Sequence, residues 1–287
     1  MAGNIFDFCV SSEIPLQYLS NCESNDTKEI IRVTEGEVKH PENKDRDIIS
    51  RNGTLYFRQG GVGIFRIKDD SVVVDRNGAA TNQDVAATVL GRVRNILLYQ
   101  RGYFLLHGSA VSIDDRGVAF IGFSGSGKSS VAAAMHTNGH RVATDDTIIA
   151  DFEDGISIVP SFPRLKLPKA TVDALDLADH TPGDDEMWFR VEDGFERSMI
   201  PLTTVYVVED DLGKQAPMIE SMCSQSAMKR VLQHSVGKDL VEATGTEGRH
   251  FQECAKVVDG AVVKWLCRPD DLSQLPELVQ VVEDDLN

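Results

Sequence analysis

Apolar and polar positions alternate in short runs through the first 80 residues. Phe6-Asp-Phe-Cys-Val, Glu29-Ile-Ile-Arg-Val, Thr54-Leu-Tyr-Phe-Arg, Gly63-Ile-Phe-Arg-Ile and Ser71-Val-Val-Val-Asp are separated by polar turns. Runs rich in β-branched and aromatic residues fit a pleated, half-buried surface, so the pattern predicts a β-rich module over 1–80. Lys68-Asp-Asp supplies a hairpin turn, and His40 to Asp47, with Pro41, reads as a polar loop. From Asn82 the period changes. Val85, Val89, Val93 and Leu97 recur at helical spacing with Asp84 near the start, which predicts a helix leading through Arg101-Gly102 to a strand at Tyr103 to Leu106.

Val118 to Ile121 is an apolar run of the kind that forms a buried strand, and it enters Gly122-Phe-Ser-Gly-Ser-Gly-Lys-Ser129. That segment fits G-x-x-x-x-G-K-[ST] at every fixed position and is a P-loop sequence. Gly122, Ser124, Gly125, Ser126 and Gly127 are the stretch whose backbone N–H groups turn around phosphate oxygens. Lys128 brings a point charge to the β/γ end, and Ser129 offers a hydroxyl to Mg²⁺. A helix is expected over Ser130 to Thr137, with Ser130 in the phosphate-facing first turn and Asn138-Gly139 as the stop.

Arg141-Val-Ala-Thr is a short strand ending on Asp145-Asp146. Two adjacent carboxylates at a strand exit, at the edge where α/β sheets place ligands, suit a divided task. Asp145 is read as the group that takes a proton from an attacking hydroxyl, and Asp146 as the Mg²⁺ ligand. His107 ends the preceding strand in His107-Gly-Ser109. If that strand runs parallel to the P-loop strand, the imidazole lies near Asp145 and tunes it.

Ile148-Ile-Ala and Ile156-Ser-Ile-Val form a strand pair, and Pro160 to Pro168 is extended, since its prolines break a helix. Within it Arg164 and Lys166 are cations suited to phosphate or an acidic acceptor. Asp179 to Asp193 is expected to be a mobile acidic loop. Val205-Tyr-Val-Val-Glu209-Asp210 is a core strand running into the acidic Asp211-Leu-Gly-Lys. A helix over Ser226 to Ser235, a strand at Val262 to Leu266 and a helix over Leu272 to Val282 complete the chain.

Composition narrows the function. Forty-five acidic against 29 basic residues give a net charge of −16, which disfavours nucleic acid and anionic membrane as partners. No run of 18 apolar residues and no signal-peptide pattern is present, so a cytoplasmic protein is expected. The five cysteines, Cys9, Cys22, Cys223, Cys254 and Cys267, lack C-x-x-C spacing and read as free thiols.

The segments LLHGSAV (105–111), GFSGSGKSS (122–130), GHRVATDD (139–146) and VPSFPRLKLP (159–168), with CVSSEIPLQYL (9–19), resemble the HPr kinase/phosphorylase catalytic-domain family. The likeness is greatest to its stand-alone HPr-kinase-like serine kinases, as in lasso-peptide-modifying kinases. Ser130 departs from the acidic residue that bacterial regulators of the family carry after the P-loop serine. The resemblance implies ATP and Mg²⁺ as cofactors, a serine hydroxyl as acceptor, and Arg197 as a basic residue reaching the transferring phosphoryl group. The expected fold is α/β, a P-loop sheet flanked by helices over 81–287, with the β-rich module at 1–80. A nucleotide-gated sensor without an acceptor and a small-molecule alcohol kinase stand as alternatives, and a homo-oligomer is left open.

Overall fold

The computed structural model describes residues 2–5, 8–16, 29–39, 41, 46–178, 180–182, 186–191, 193–210 and 216–287. Phe6 and Asp7 of the first expected strand, most of the His40 to Asp47 loop and the Asp211-Leu-Gly-Lys loop lie outside them.

Seven strands come first: β1 (Ala2–Ile5), β2 (Phe8–Ser12), β3 (Glu29–Glu35), β4 (Ile48–Arg51), β5 (Thr54–Gln59), β6 (Gly63–Lys68) and β7 (Ser71–Arg76). They form one sheet in the order β1-β2-β3-β7-β6-β5-β4. Alternation sends Leu55, Phe57, Phe65, Ile67, Val72 and Val74 inward, all buried. Helices α1 (Asn82–Thr88) and α2 (Arg94–Gln100) follow, joined by a π-turn at Val89–Val93. Thr81 and Asp84 form a reciprocal capping box at the start. Valines every four residues drift around a 3.6-residue helix, and the wider π-turn absorbs the drift, so Val85, Val89, Val93 and Leu97 are all buried.

The chain continues through β8 (Phe104–Ile113), β9 (Arg116–Ile121), α3 (Lys128–Thr137), β10 (Arg141–Thr144), β11 (Thr147–Asp151), β12 (Ser157–Val159), β13 (Arg164–Pro168) and α4 (Lys169–Ala174). Next come β14 (His180–Pro182), β15 (Glu186–Arg190), β16 (Ile200–Asp210), β17 (Met218–Ser221), α5 (Ser224–His234), α6 (Lys238–Thr244), α7 (Glu247–Gly260), β18 (Val262–Arg268) and α8 (Leu275–Leu286). Two compact units result. One comprises 1–102 with 237–247, and the other 103–236 with 248–287. In the first unit Arg92 pairs with Asp239 of α6, and Tyr99 Oη hydrogen-bonds Thr246 Oγ1.

The second unit holds a mixed sheet in which β9, β16 and β18 run parallel. One face buries Phe120, Tyr206, Val208 and Leu266 against Val131 and Met135 of α3 and Leu278 and Val282 of α8. The other buries Ala119, Ile121, Val205 and Val207 against Val231 of α5 and Val257 of α7. The second unit is therefore a mixed α/β structure with helices on both faces.

Two expectations change. His107 does not end a strand parallel to β9: β8 runs ten residues and pairs β9 antiparallel, with Gly108 opposite Ile121. The apolar run simply continues through Ala110 and Val111, both fully buried, so Gly108 does not stop it. Part of the expected loop at 179–193 is sheet, because the β-forming residues Met187, Trp188 and Phe189 pair with β13. Cys223, Cys254 and Cys267 are free thiols. Among the described residues no helix is long and apolar enough to cross a membrane.

Candidate phosphate-binding and acidic site

Strand β9 delivers the chain into the glycine-rich turn, and α3 begins at Lys128. Gly127 takes φ +89°, and a Cβ there would lie 2.5 Å from Arg268 Nε, so shape and conformation both call for glycine. Lys128 is buried, and its ammonium donates to the backbone carbonyl of Phe123 at 2.6 Å. Burial pushes its pKa down, while Asp145 and Asp146 pull it back up. Ser124 and Gly125 are exposed, Gly122 and Ser126 are buried, and Ser129 is half-buried. The Ser130 hydroxyl is engaged with Thr171 Oγ1 of α4 at 2.8 Å.

The carboxylate pair does follow a strand, directly after Thr144 of β10, and the chain enters β11 at once. Strands β10 and β11 both run along one side of β8, with Thr144 opposite Ala110 and Thr147 opposite His107. Asp145 and Asp146 fill the break between them. Asp146 adopts the left-handed φ of +68°, which costs a non-glycine residue about 1 kcal/mol. The kink aims the two side chains differently, as a bulge beside a site does.

Asp145 accepts three hydrogen bonds: from Ser109 Oγ at 2.6 Å, Ser129 Oγ at 2.8 Å and the Lys166 backbone N–H at 2.8 Å. Burial pushes its pKa up, the three donors oppose that, and the Asp146 charge adds to the rise. The Ser129 hydroxyl is thus joined to Asp145, whereas the sequence reading had paired Ser129 with Asp146 as Mg²⁺ ligands. Asp146 has a 63% exposed side chain. His107 Nδ1–H donates to its backbone carbonyl at 3.0 Å and lies 3.9 Å from Oδ1. His107 therefore attends Asp146, and Ser109 takes the place beside Asp145.

Arg164 and Lys166 share one face of β13, and their cationic heads lie over the Trp188 ring at 4.4 Å and 5.9 Å. Lys166 reaches Asp145 through its backbone. Arg197 is exposed, and its backbone N–H donates to Glu196 Oε1. Glu196 is held in turn by Arg141 Nε at 2.8 Å.

Three residues in the assembly had no signal in the sequence. Arg268, at the carboxyl end of β18, is buried and donates from Nε to the Ser126 carbonyl at 2.9 Å. It becomes a loop residue because β16 lies between β9 and β18 in one parallel set. His234, at the end of α5, is 4% exposed, and among the described residues its Nε2 has no hydrogen-bond partner. Its ring meets Phe123 edge-on at 5.0 Å. Burial, with the charges of Arg230, Lys128 and His107, lowers its pKa to about 4. Phe123 is itself 54% exposed at the loop.

The donors present fit a phosphate-bound divalent cation. Mg²⁺ is held by one or two carboxylates with a hydroxyl and phosphate oxygens, and Asp145 and Ser129 supply that set from the protein. Among the described residues no group of three or more His, Cys, Asp or Glu forms an all-protein cage. No family model and no curated protein matches the chain. A solved structure of the HPr(Ser) kinase/phosphatase from Coxiella burnetii is similar over 63% of this chain and 95% of its own, at 14% identity. The TM-score of 0.35 is too low to carry an argument, so the site stands on its own geometry.

Proposed function

We propose that this chain is an ATP-dependent kinase that transfers the γ-phosphoryl group to a hydroxyl, a serine of a peptide or protein. The observation that carries the reading is the hydrogen bond from Ser129 Oγ to Asp145, which puts an acidic pair directly beside the P-loop lysine and serine.

The division of labour that best fits the contacts reverses the one read from sequence. Asp145, half-buried among three donors with its charge disfavoured by desolvation, belongs with Ser129 on the metal side, where a cation relieves that desolvation. Asp146, exposed and held by His107 through its backbone, is the proton acceptor. Mg²⁺, when bound, neutralises charge on the β and γ groups. Lys128 exchanges the Phe123 carbonyl for phosphate oxygen, and the loop amides, braced by Arg268, donate to the phosphates. The acceptor oxygen forms the new bond to phosphorus, its proton passes to Asp146, and the bond to ADP breaks.

Incubating the purified chain with γ-labelled ATP, Mg²⁺ and serine-containing peptides tests this directly. The expected result is label in a phosphoserine and ADP formed in equal amount. ATP bound without transfer to any peptide or small alcohol would leave the nucleotide-gated sensor as the reading.

A further inference from the structure

The outer face of the N-terminal sheet gathers cations that the proposed chemistry does not use. On β6, Phe65 and Ile67 point into the core, while Arg66 and Lys68 are exposed. The strand registers align these with their neighbours. Lys68 lies opposite Ser71 of β7, which lies opposite Arg32 of β3, and Arg66 lies opposite Tyr56 of β5. With Thr54 these residues line an open cavity of about 540 Å³. Asp69 and Asp70 close one end at the β6–β7 turn, and Asp70 is already neutralised by Arg101 Nη2 at 2.6 Å.

Among the described residues no ion pair engages Arg32, Arg66 or Lys68. Like charges on neighbouring positions of one sheet face repel. In a chain with 45 acidic and 29 basic residues, this is a local inversion of sign. The face spans β5, β6, β7 and β3, three strand spacings or about 14 Å, which matches roughly four residues of extended chain. Guanidinium forks bind carboxylates in pairs, and Tyr56 offers an aromatic surface beside them. An enclosed pocket would suit a small anion. An open trough this long suits a peptide.

We propose that this face docks an acidic stretch of the peptide that carries the acceptor serine. The identity of that peptide as substrate rests on the kinase reading above, whereas the acidic chemistry rests on the cavity alone.

The test is fluorescence anisotropy on the full chain without nucleotide, using a labelled peptide of alternating Glu and Ser and the same peptide with Gln in place of Glu. The parent is expected to bind the Glu–Ser peptide in a salt-sensitive way. Arg66→Glu with Lys68→Glu should raise Kd about tenfold, and the Gln–Ser peptide should bind the parent correspondingly weakly. Should the double charge reversal fail to fold, Arg66→Gln with Lys68→Gln gives the same readout with less perturbation. Equal binding of the two peptides, equal binding by parent and variant, or displacement of the peptide by an equally charged oligonucleotide at lower concentration would each overturn the proposal. With γ-labelled Mg-ATP then added to the same peptide and to the serine-containing peptides above, charge-dependent binding with no label transferred to any of them would sink the kinase reading and leave the docking face. Transfer to the peptide with charge-independent binding would sink the docking face alone.

Discussion

At the glycine-rich-loop end of the second unit a half-buried carboxylate accepts from two hydroxyls and a backbone N–H, whereas on the outer face of the first unit three cations are exposed to solvent and, among the described residues, no acid is paired to them. Three donors fix Asp145 to within hydrogen-bond tolerance, and partial burial makes the site's charges strong and specific. Exposure leaves Arg32, Arg66 and Lys68 screened, adjustable and weak one by one. The first arrangement suits bond making, where a misplacement of about 1 Å is costly. The second suits capture of a flexible chain, where several weak contacts add.

If that contrast is right, changes at the buried end should have large and specific effects. Lys128→Ala should lose the thermal stabilisation by Mg-ATP, which for the parent at a hundredfold excess over Kd is about 2.7 kcal/mol. An equal shift for parent and variant in a thermal melt would remove the lysine from the phosphate site. Gly127→Ala should lower stability by about 2 kcal/mol, because it forces an L-residue to positive φ against Arg268. Chemical denaturation reads this, and a variant as stable as the parent would show that the loop is loosely held.

The pH dependence of stability sharpens the contrast further. His234 is held at about 4 against an ordinary 6.5. Between these values the unfolded chain binds a proton that the folded one refuses. Its contribution is therefore full above pH 6.5 and is lost as pH falls toward 4. His234→Gln should flatten the difference in stability across that window by about 1–2 kcal/mol, measured as parent against variant in parallel urea titrations. No difference in slope would mean that the imidazole is not held neutral. At the exposed face the same measurement should find almost nothing: Arg66→Glu with Lys68→Glu should change folding stability by no more than about 0.5 kcal/mol. A loss of several kcal/mol would show that those side chains hold the sheet together.

The two regions also differ in how they could be read. The strand, glycine turn, Lys128-Ser129 and following helix are contiguous, so their local pattern was legible without knowledge of the fold. Asp145 and Asp146 were visible as an acidic pair, but their partners were not. Parallel strands were assumed where β8 and β9 are antiparallel, and that assumption put His107 beside the wrong carboxylate. The kink at Asp146 depends on β10 and β11 sharing one neighbour, a pairing that no spacing in the sequence announces. Arg268 reaches the loop from 142 positions away, and the cation row exists only once β3, β7 and β6 are in register. Short-range chemistry was readable, and chemistry assembled across strands was not.

The central claim is the division of labour between Asp145 and Asp146, and single-turnover phosphoryl transfer across a Mg²⁺ titration tests it most directly. Asp145→Asn should raise the Mg²⁺ concentration needed for transfer and recover part of its rate when Mg²⁺ is abundant. Asp146→Asn should bind Mg-ATP yet lose transfer by about 10²- to 10⁴-fold at every Mg²⁺ level. Near-parental transfer by Asp146→Asn, with Asp145→Asn inactive however much Mg²⁺ is added, would contradict the assignment and return the base to Asp145.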